Sequence, residues 1–287
     1  MSVAIMVLAH SCTSALERYV PLLDPEQFEV YLHVDRKAAL DGYAPLSQSR
    51  NVSFVPDRRS VFWGGFSMVQ ATLSLLRCAL QRPENTHFLL VSDDAIPTLP
   101  GNDLYRRISS AGIRMTSHVC LPGSEPHARY ANYFHFDSSF TTPRWLPAES
   151  RYIDEGSLAF VNEIQVLRRR GKFPVRIFAG PQWWCLPRDI AEFCLEQYDN
   201  NDWLIESFRF SAIPDEIYFH TLAAMHSGAA QPSEPCPVYA DFSREPKPYV
   251  FGALEDIPAF GDSTLFLRKV KQDGPFLDLY TEKFLRG

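Results

Sequence analysis

Pro214-Asp215-Glu216 is the stretch of this 287-residue chain whose residue types point most directly to chemistry. Pro214 suits the first position of a helix, where its missing N–H costs nothing. Ile217, Leu222 and Met225 follow at roughly helical spacing. The pattern predicts a helix with two carboxylates in its first turn, where backbone partial positive charge favours their ionised form. A carboxylate kept charged at neutral pH is what a general base needs, although Asp and Glu also occur in first turns simply as dipole partners. A second group, Arg268, Lys269 and Lys271, puts three cations within four positions beside an apolar anchor. Such a cluster either clamps a diphosphate or forms a solvated face. A cation site would call for clustered carboxylates or histidines, and Asp93-Asp94 is the only adjacent acidic pair in a plausible place for one.

The elements that must position these groups begin with Val3 to Ala9. This continuous apolar run is what a strand buried on both faces of a parallel sheet looks like. Phe28 to Asp35 reads as a second strand ending in Asp35-Arg36-Lys37, and Val52 to Val55 as a short third. Val61-Phe62-Trp63-Gly64-Gly65 precedes a predicted helix over about Ser67 to Gln81, with Val69, Leu73, Leu76 and Leu80 on its buried face. His87 to Val91 is a fourth strand, closed by Ser92-Asp93-Asp94. Strand, helix, strand, strand, helix, strand is the order of a mostly parallel α/β sheet, whose ligands bind beyond the carboxyl ends of the strands. Three polar clusters fall there: His10 to Thr13, Asp35 to Lys37, and Ser92 to Asp94. No G-x-G-x-x-G or P-loop pattern is present, and Gly64-Gly65 alone is a turn rather than a phosphate cradle.

From about Gly112 to Phe178 the periodicity blurs into mixed Pro, aromatic and basic residues, including Glu125 to Tyr130 and Asn132 to Phe136. So many aromatics argue against disorder. The stretch reads either as a sugar-binding wall or as ordinary loop packing. Gly180 to Arg188 leads into a further helix with Pro187 near its start. If it is extended, Trp183 and Trp184 cannot both face the core, so one of them is expected in a cleft. Tyr249 to Ala253 is expected to be a strand.

Net charge is −6, from 28 Lys and Arg against 34 Asp and Glu, so the totals show no nucleic-acid footprint. Arg168-Arg169-Arg170 with Lys172 reads as a solvated helix end, or as a contact for anionic lipid headgroups. Six scattered cysteines with no C-x-x-C pair fit neither a zinc site nor a disulfide framework and suit a reducing compartment. The run Val3 to Ala9 is too short to span a bilayer. The chain is expected to be soluble and cytoplasmic, with peripheral contact at the inner membrane face left open.

Taken in order, Tyr31 to Lys37, Ser60 to Ser67, Leu89 to Pro97, Gly180 to Arg188, Pro214-Asp215-Glu216 and Leu265 to Lys269 resemble glycosyltransferase family 14. That family comprises the core-2/I-branching β-1,6-N-acetylglucosaminyltransferases and the peptide O-xylosyltransferases. The resemblance implies one glycosyltransferase domain over 1–287 with a GT-A-like, mostly parallel α/β sheet flanked by helices. About 1–110 would bind the nucleotide sugar, and about 111–287 would shape the acceptor site and carry the catalytic group. It implies inverting transfer from a UDP-sugar, GlcNAc before others, to a hydroxyl of a glycan or lipid-linked glycan, without metal or other cofactor. Glu216 then stands at the base position. Arg268 and Lys269 stand at the diphosphate, Lys247 near a second such cation, and Asp35 at the nucleoside end. Arg129, Gln182, Trp183 and Trp63 stand at the acceptor. The family's membrane anchor and luminal cysteines have no evident counterpart here, which implies a bacterial relative working on surface-glycan precursors. A pentosyltransferase on the same scaffold and a non-catalytic carbohydrate-binding protein are the alternatives. Ser92-Asp93-Asp94 departs from the commoner family wording and is not Asp-x-Asp.

Overall fold

In the computed structural model the N-terminal apolar run becomes the central strand of the molecule. The structure describes residues 1–11, 13–134, 137, 155–228 and 235–286, with the backbone alone for 155–162. Cys12, His135 and Phe136, which belong to two of the stretches singled out above, lie outside the described residues. Strand β1 (Ser2–Ala9) leads through α1 (Ser14–Tyr19) to β2 (Phe28–Val34). The chain then passes through β3 (Val52–Phe54) and α2 (Phe66–Leu80) to β4 (Asn85–Ser92). β1 lies between β2 and β4, parallel to both, with Val3 opposite Phe28 on one side and His87 on the other. β2 is buried at every position and β1 at all but Leu8, which explains why both read as unbroken rather than alternating apolar runs.

Beyond β4 the chain makes β5 (Ala95–Pro97), α3 (Gly101–Ser109), β6 (His118–Val119), α4 (Glu125–Ala131) and α5 (Glu155–Arg170). Next come β7 (Phe178–Ala179), β8 (Cys185–Pro187), α6 (Arg188–Asn200), α7 (Asp202–Arg209) and α8 (Tyr218–His226). The tail adds β9 (Val238–Ala240), β10 (Phe266–Arg268) and α9 (Phe276–Tyr280). β8 closes the main sheet antiparallel to β4, giving the order β3-β2-β1-β4-β8. A small second sheet, β5-β10-β9, carries the tail back to the carboxyl end of β4. One hydrophobic cluster runs from Val3 to Leu285. This is the mostly parallel α/β layout that the resemblance implies.

Three expectations are corrected. Pro214 opens a single 3-10 turn over Pro214–Glu216 rather than an α-helix. Ile217 leaves helical geometry at φ −127° before α8 begins. Tyr249 to Ala253 is not a strand; only Phe251 bridges, to Val270. Trp183 and Trp184 are both buried, because the segment is covered on both sides. The Trp184 ring packs on Phe219 at 5.0 Å, while Trp183 faces Arg268 on β10. The arginine run closes α5, with Arg170 paired to Glu206 at 2.5 Å, as the helix-end reading has it.

Candidate active site

The carboxyl ends of β1, β2 and β4 are tied together by carboxylates. Asp93, buried after β4, accepts hydrogen bonds at Oδ2 from the backbone N–H groups of His10 (2.7 Å) and Ser11 (3.0 Å) in the loop after β1. Asp35, just after β2, takes the Lys37 backbone N–H on Oδ1 and the Lys37 ammonium on Oδ2, both at 2.8 Å, and the Val61 N–H at 3.3 Å. These bonds fix the rim where ligands of such sheets bind, and they draw in the segment before Trp63.

A second corner forms where the tail returns. Antiparallel pairing sets Arg268 opposite Ala95, and the Val270 N–H donates to the Asp94 carbonyl at 3.0 Å. Register therefore places Arg268 and Lys269 over the Asp94 side chain. Arg268 meets it at 3.2 and 3.4 Å through Nε and Nη2, and Lys269 Nζ lies 3.4 Å from Oδ2. The Ser92 hydroxyl also donates to Asp94. Burial works to raise the Asp94 pKa, but the Arg268 charge, the Ser92 and Arg268 hydrogen bonds and Lys269 together outweigh it and hold the group below its ordinary value. The Trp183 ring lies 4.7 Å from the Arg268 guanidinium and fixes its face, a cation–π arrangement.

The third corner carries Glu216. Arg129 Nη1 holds Glu216 Oε2 at 2.8 Å while its Nε holds Glu125 at 2.6 Å. Oε1 of Glu216 bonds no other described side chain, and the glutamate is 38% exposed. The turn beneath it is pinned by backbone. The Ile213 N–H donates to the Gly64 carbonyl (2.9 Å), the Glu216 N–H to Ile213 (3.2 Å), and the Gly180 N–H to the Glu216 carbonyl (3.0 Å). Ile213 is left-handed, at φ 48° and ψ 55°, an outlier for a β-branched residue. Gly180 has no room for a side chain: a Cβ there would lie 2.0 Å from the Thr116 carbonyl and 2.5 Å from the buried His220 ring. His220 is anchored by Nε2 to the Pro181 carbonyl at 2.9 Å, and burial pushes its pKa down to about 4, so the ring is neutral.

The two carboxylates of the turn differ more than their sequence suggests. Asp215 is buried, and desolvation first, then Glu216, pushes its pKa up to about 7, against the first-turn expectation of a favoured charge. The strap Gly180–Trp183 joins the second and third corners, Gly180 on Glu216 and Trp183 on Arg268. The three steps from Gly180 to Trp183 span at most about 11 Å of backbone, so one short segment ties the two corners together.

The remaining expected residues scatter. Trp63 is 53% exposed on the loop docked to Ile213. Gln182 lies on the strap, its Nε2 buried without a hydrogen-bond partner among the described residues. Lys247 pairs with Glu245 at 3.4 Å and is half exposed. Lys271 pairs with Asp273 at 3.9 Å instead of joining the clamp. Sequence reasoning missed the Asp94–Arg268 and Arg129–Glu216 partnerships; separations of 174 and 87 residues leave no local pattern to find. Among the described residues no group of three or more His, Cys, Asp or Glu is gathered to hold a metal, and no helix is long and apolar enough to cross a membrane.

The model of the core-2/I-branching enzymes matches residues 3–234, and the chain belongs to that family of glycosyltransferases. No curated protein sequence matches it. Among solved structures it is similar to mouse xyloside xylosyltransferase 1 in its apo form, at TM-score 0.37 and 8% identity over 86% of this chain and 90% of that one. S. aureus TarS 1–349 matches at TM-score 0.27 and 16% identity over 45% of this chain and 40% of that one. TarS in complex with UDP-GlcNAc matches at 0.32 and 10%, over 96% and 60%. Likenesses this distant carry no argument about activity; the family match does.

Proposed function

We propose that this chain is an inverting, metal-independent glycosyltransferase that moves a sugar, GlcNAc first among candidates, from a UDP-sugar to a hydroxyl of a glycan acceptor. Its place would be in bacterial surface-polysaccharide or glycoconjugate synthesis. The observation that carries this reading is the short strap whose Gly180 bonds the Glu216 carbonyl and whose Trp183 ring lies on Arg268, tying the partly exposed carboxylate to the corner where Arg268 ends β10 and Lys269 follows it. In a single displacement, Glu216 Oε1 takes the proton of the acceptor hydroxyl as that oxygen bonds to the anomeric carbon. The bond from that carbon to the diphosphate breaks, and the electron pair leaves with UDP. Arg268 and Lys269 supply preorganised positive charge where the negative charge develops, the role a divalent ion would otherwise fill. Arg129 holds the base in orientation. Asp35 receives the nucleoside end, and Trp63 with Gln182 faces the acceptor.

A donor-hydrolysis screen over UDP-, GDP- and dTDP-sugars tests the proposal. Release of UDP, fastest from UDP-GlcNAc, is expected. Turnover confined to GDP- or dTDP-sugars overturns the donor assignment, and no turnover alongside glycan binding favours a carbohydrate-binding protein.

A further inference from the structure

The two clamp cations share one carboxylate, and that carboxylate has no part in the reaction written above. The Asp94 and Arg268 side chains are 12% and 14% exposed, so the charges meet where water screens them poorly. Cations brought together in such a place need a counter-charge whenever no anionic ligand supplies one. Arg268 turns its Nε/Nη2 edge to the carboxylate and rests its face on Trp183, and no other described residue bonds its Nη1. The three contacts, 3.2 to 3.4 Å, exceed the roughly 2.7–2.9 Å of a tight charge-assisted bond. The carboxylate thus orients both cations without saturating either. Its own strength is divided further by the Ser92 hydroxyl on Oδ1.

We propose that Asp94 is a built-in counter-ion of the diphosphate site. It holds Arg268 and Lys269 in place between turnovers and competes with the diphosphate, thereby limiting how tightly the nucleotide product is retained. Asp94 is a positioning residue and touches no reacting atom. The inference rests on the glycosyltransferase reading for the identity of the anion. Two cations against one carboxylate leave one net positive charge; Asp94→Asn leaves two, with shape nearly unchanged and one acceptor oxygen kept for the Arg268 and Ser92 donors while the other is replaced by an NH2.

The test is titration calorimetry of wild type and Asp94→Asn with inorganic pyrophosphate and with UDP, beside steady-state kinetics. Asp94→Asn is expected to bind both ligands about tenfold more tightly, a small part of the full interaction of two close charges. The donor KM and kcat should fall together as product release slows. A purely structural carboxylate predicts the reverse, weaker binding and a raised KM, and that result, or unchanged affinity in a folded variant, overturns the proposal. If pyrophosphate shows the tightening while UDP binds no better than pyrophosphate, the counter-ion stands and the nucleotide-donor reading falls. If wild type binds neither, both fall. Should Asp94→Asn not fold, Ser92→Ala gives an independent sign. Freed of the hydroxyl, Asp94 competes harder, and pyrophosphate should bind about two- to threefold more weakly, the scale of one modest hydrogen bond; equal or tighter binding overturns the proposal.

Discussion

The candidate site contains two arginine–carboxylate pairs with inverted duties. In Glu216–Arg129 the carboxylate is the more exposed partner, 38% against 20%; it is free at one oxygen, and the arginine steadies it. In Asp94–Arg268 both side chains are nearly buried; on the proposed function the arginine faces the diphosphate and the carboxylate steadies it. On the proposed function the same two residue types serve as a base in one pair and as an anion receptor in the other; an exposed carboxylate marks the first, while in the second both partners are almost equally buried.

The sharpest way to break that contrast is Glu216→Gln, which keeps size but removes proton affinity. General-base catalysis contributes on the order of 10²–10⁴-fold, so turnover should drop by that factor while UDP affinity, measured by calorimetry, barely changes. Loss of UDP binding would show that Glu216 belongs to the anion side of the site.

Asp215 supplies a stability counterpart. Its folded pKa, raised to about 7 from 3.8, means the folded state keeps a proton that the unfolded state has released. Stability is therefore fullest below about pH 4 on this group's account and declines as pH rises towards 7, flattening above it. Asp215→Asn should remove that decline and stabilise the protein at pH 8 by up to a few kcal/mol, seen as a higher melting temperature with little change at pH 4. A melting profile for Asp215→Asn that parallels wild type across that window would mean Asp215 is ionised in the fold. If turnover vanishes in Asp215→Asn but survives in Glu216→Gln, the base has been assigned to the wrong carboxylate.

On the receptor side, Lys269→Ala should weaken UDP binding by roughly 1.5–3 kcal/mol, the usual scale for a hydrogen bond to a charged group. Normal UDP affinity in a folded Lys269→Ala protein would make it a surface lysine. Lys247→Ala should not change UDP affinity, since Lys247 pairs only with Glu245 among the described residues. The smallest expected effect is that of chelation: turnover in EDTA should equal turnover without it, and activity lost to EDTA and restored by Mn²⁺ would show that fixed cations are insufficient.

How much of this was legible follows from how the information is stored. β1, β2 and the buried face of α2 were readable because parallel strands and an amphipathic helix write their burial into runs a few residues long. The antiparallel pairing of Arg268 with Ala95 was not, since β5 and β10 are three residues each and their register depends on the whole intervening chain. Trp183 and Trp184 misled because covering by α8 on one side and β10 on the other cannot be inferred from a dipeptide. The Asp215–Glu216 pair was located, but which carboxylate is buried depends on the turn, and nothing in Ile213-Pro214 announces a left-handed isoleucine.

That isoleucine has a thermodynamic consequence. A left-handed β-branched residue costs on the order of 1–3 kcal/mol, and it sits between the Gly64 loop and the base. The protein has therefore given up global robustness for a locally determined backbone. Ile213→Gly would release the torsional penalty but also widen the set of conformations open to the turn that carries Glu216. Thermal tolerance and catalytic proficiency should then be separable at this position, a trade between endurance and turnover set by one pair of dihedral angles.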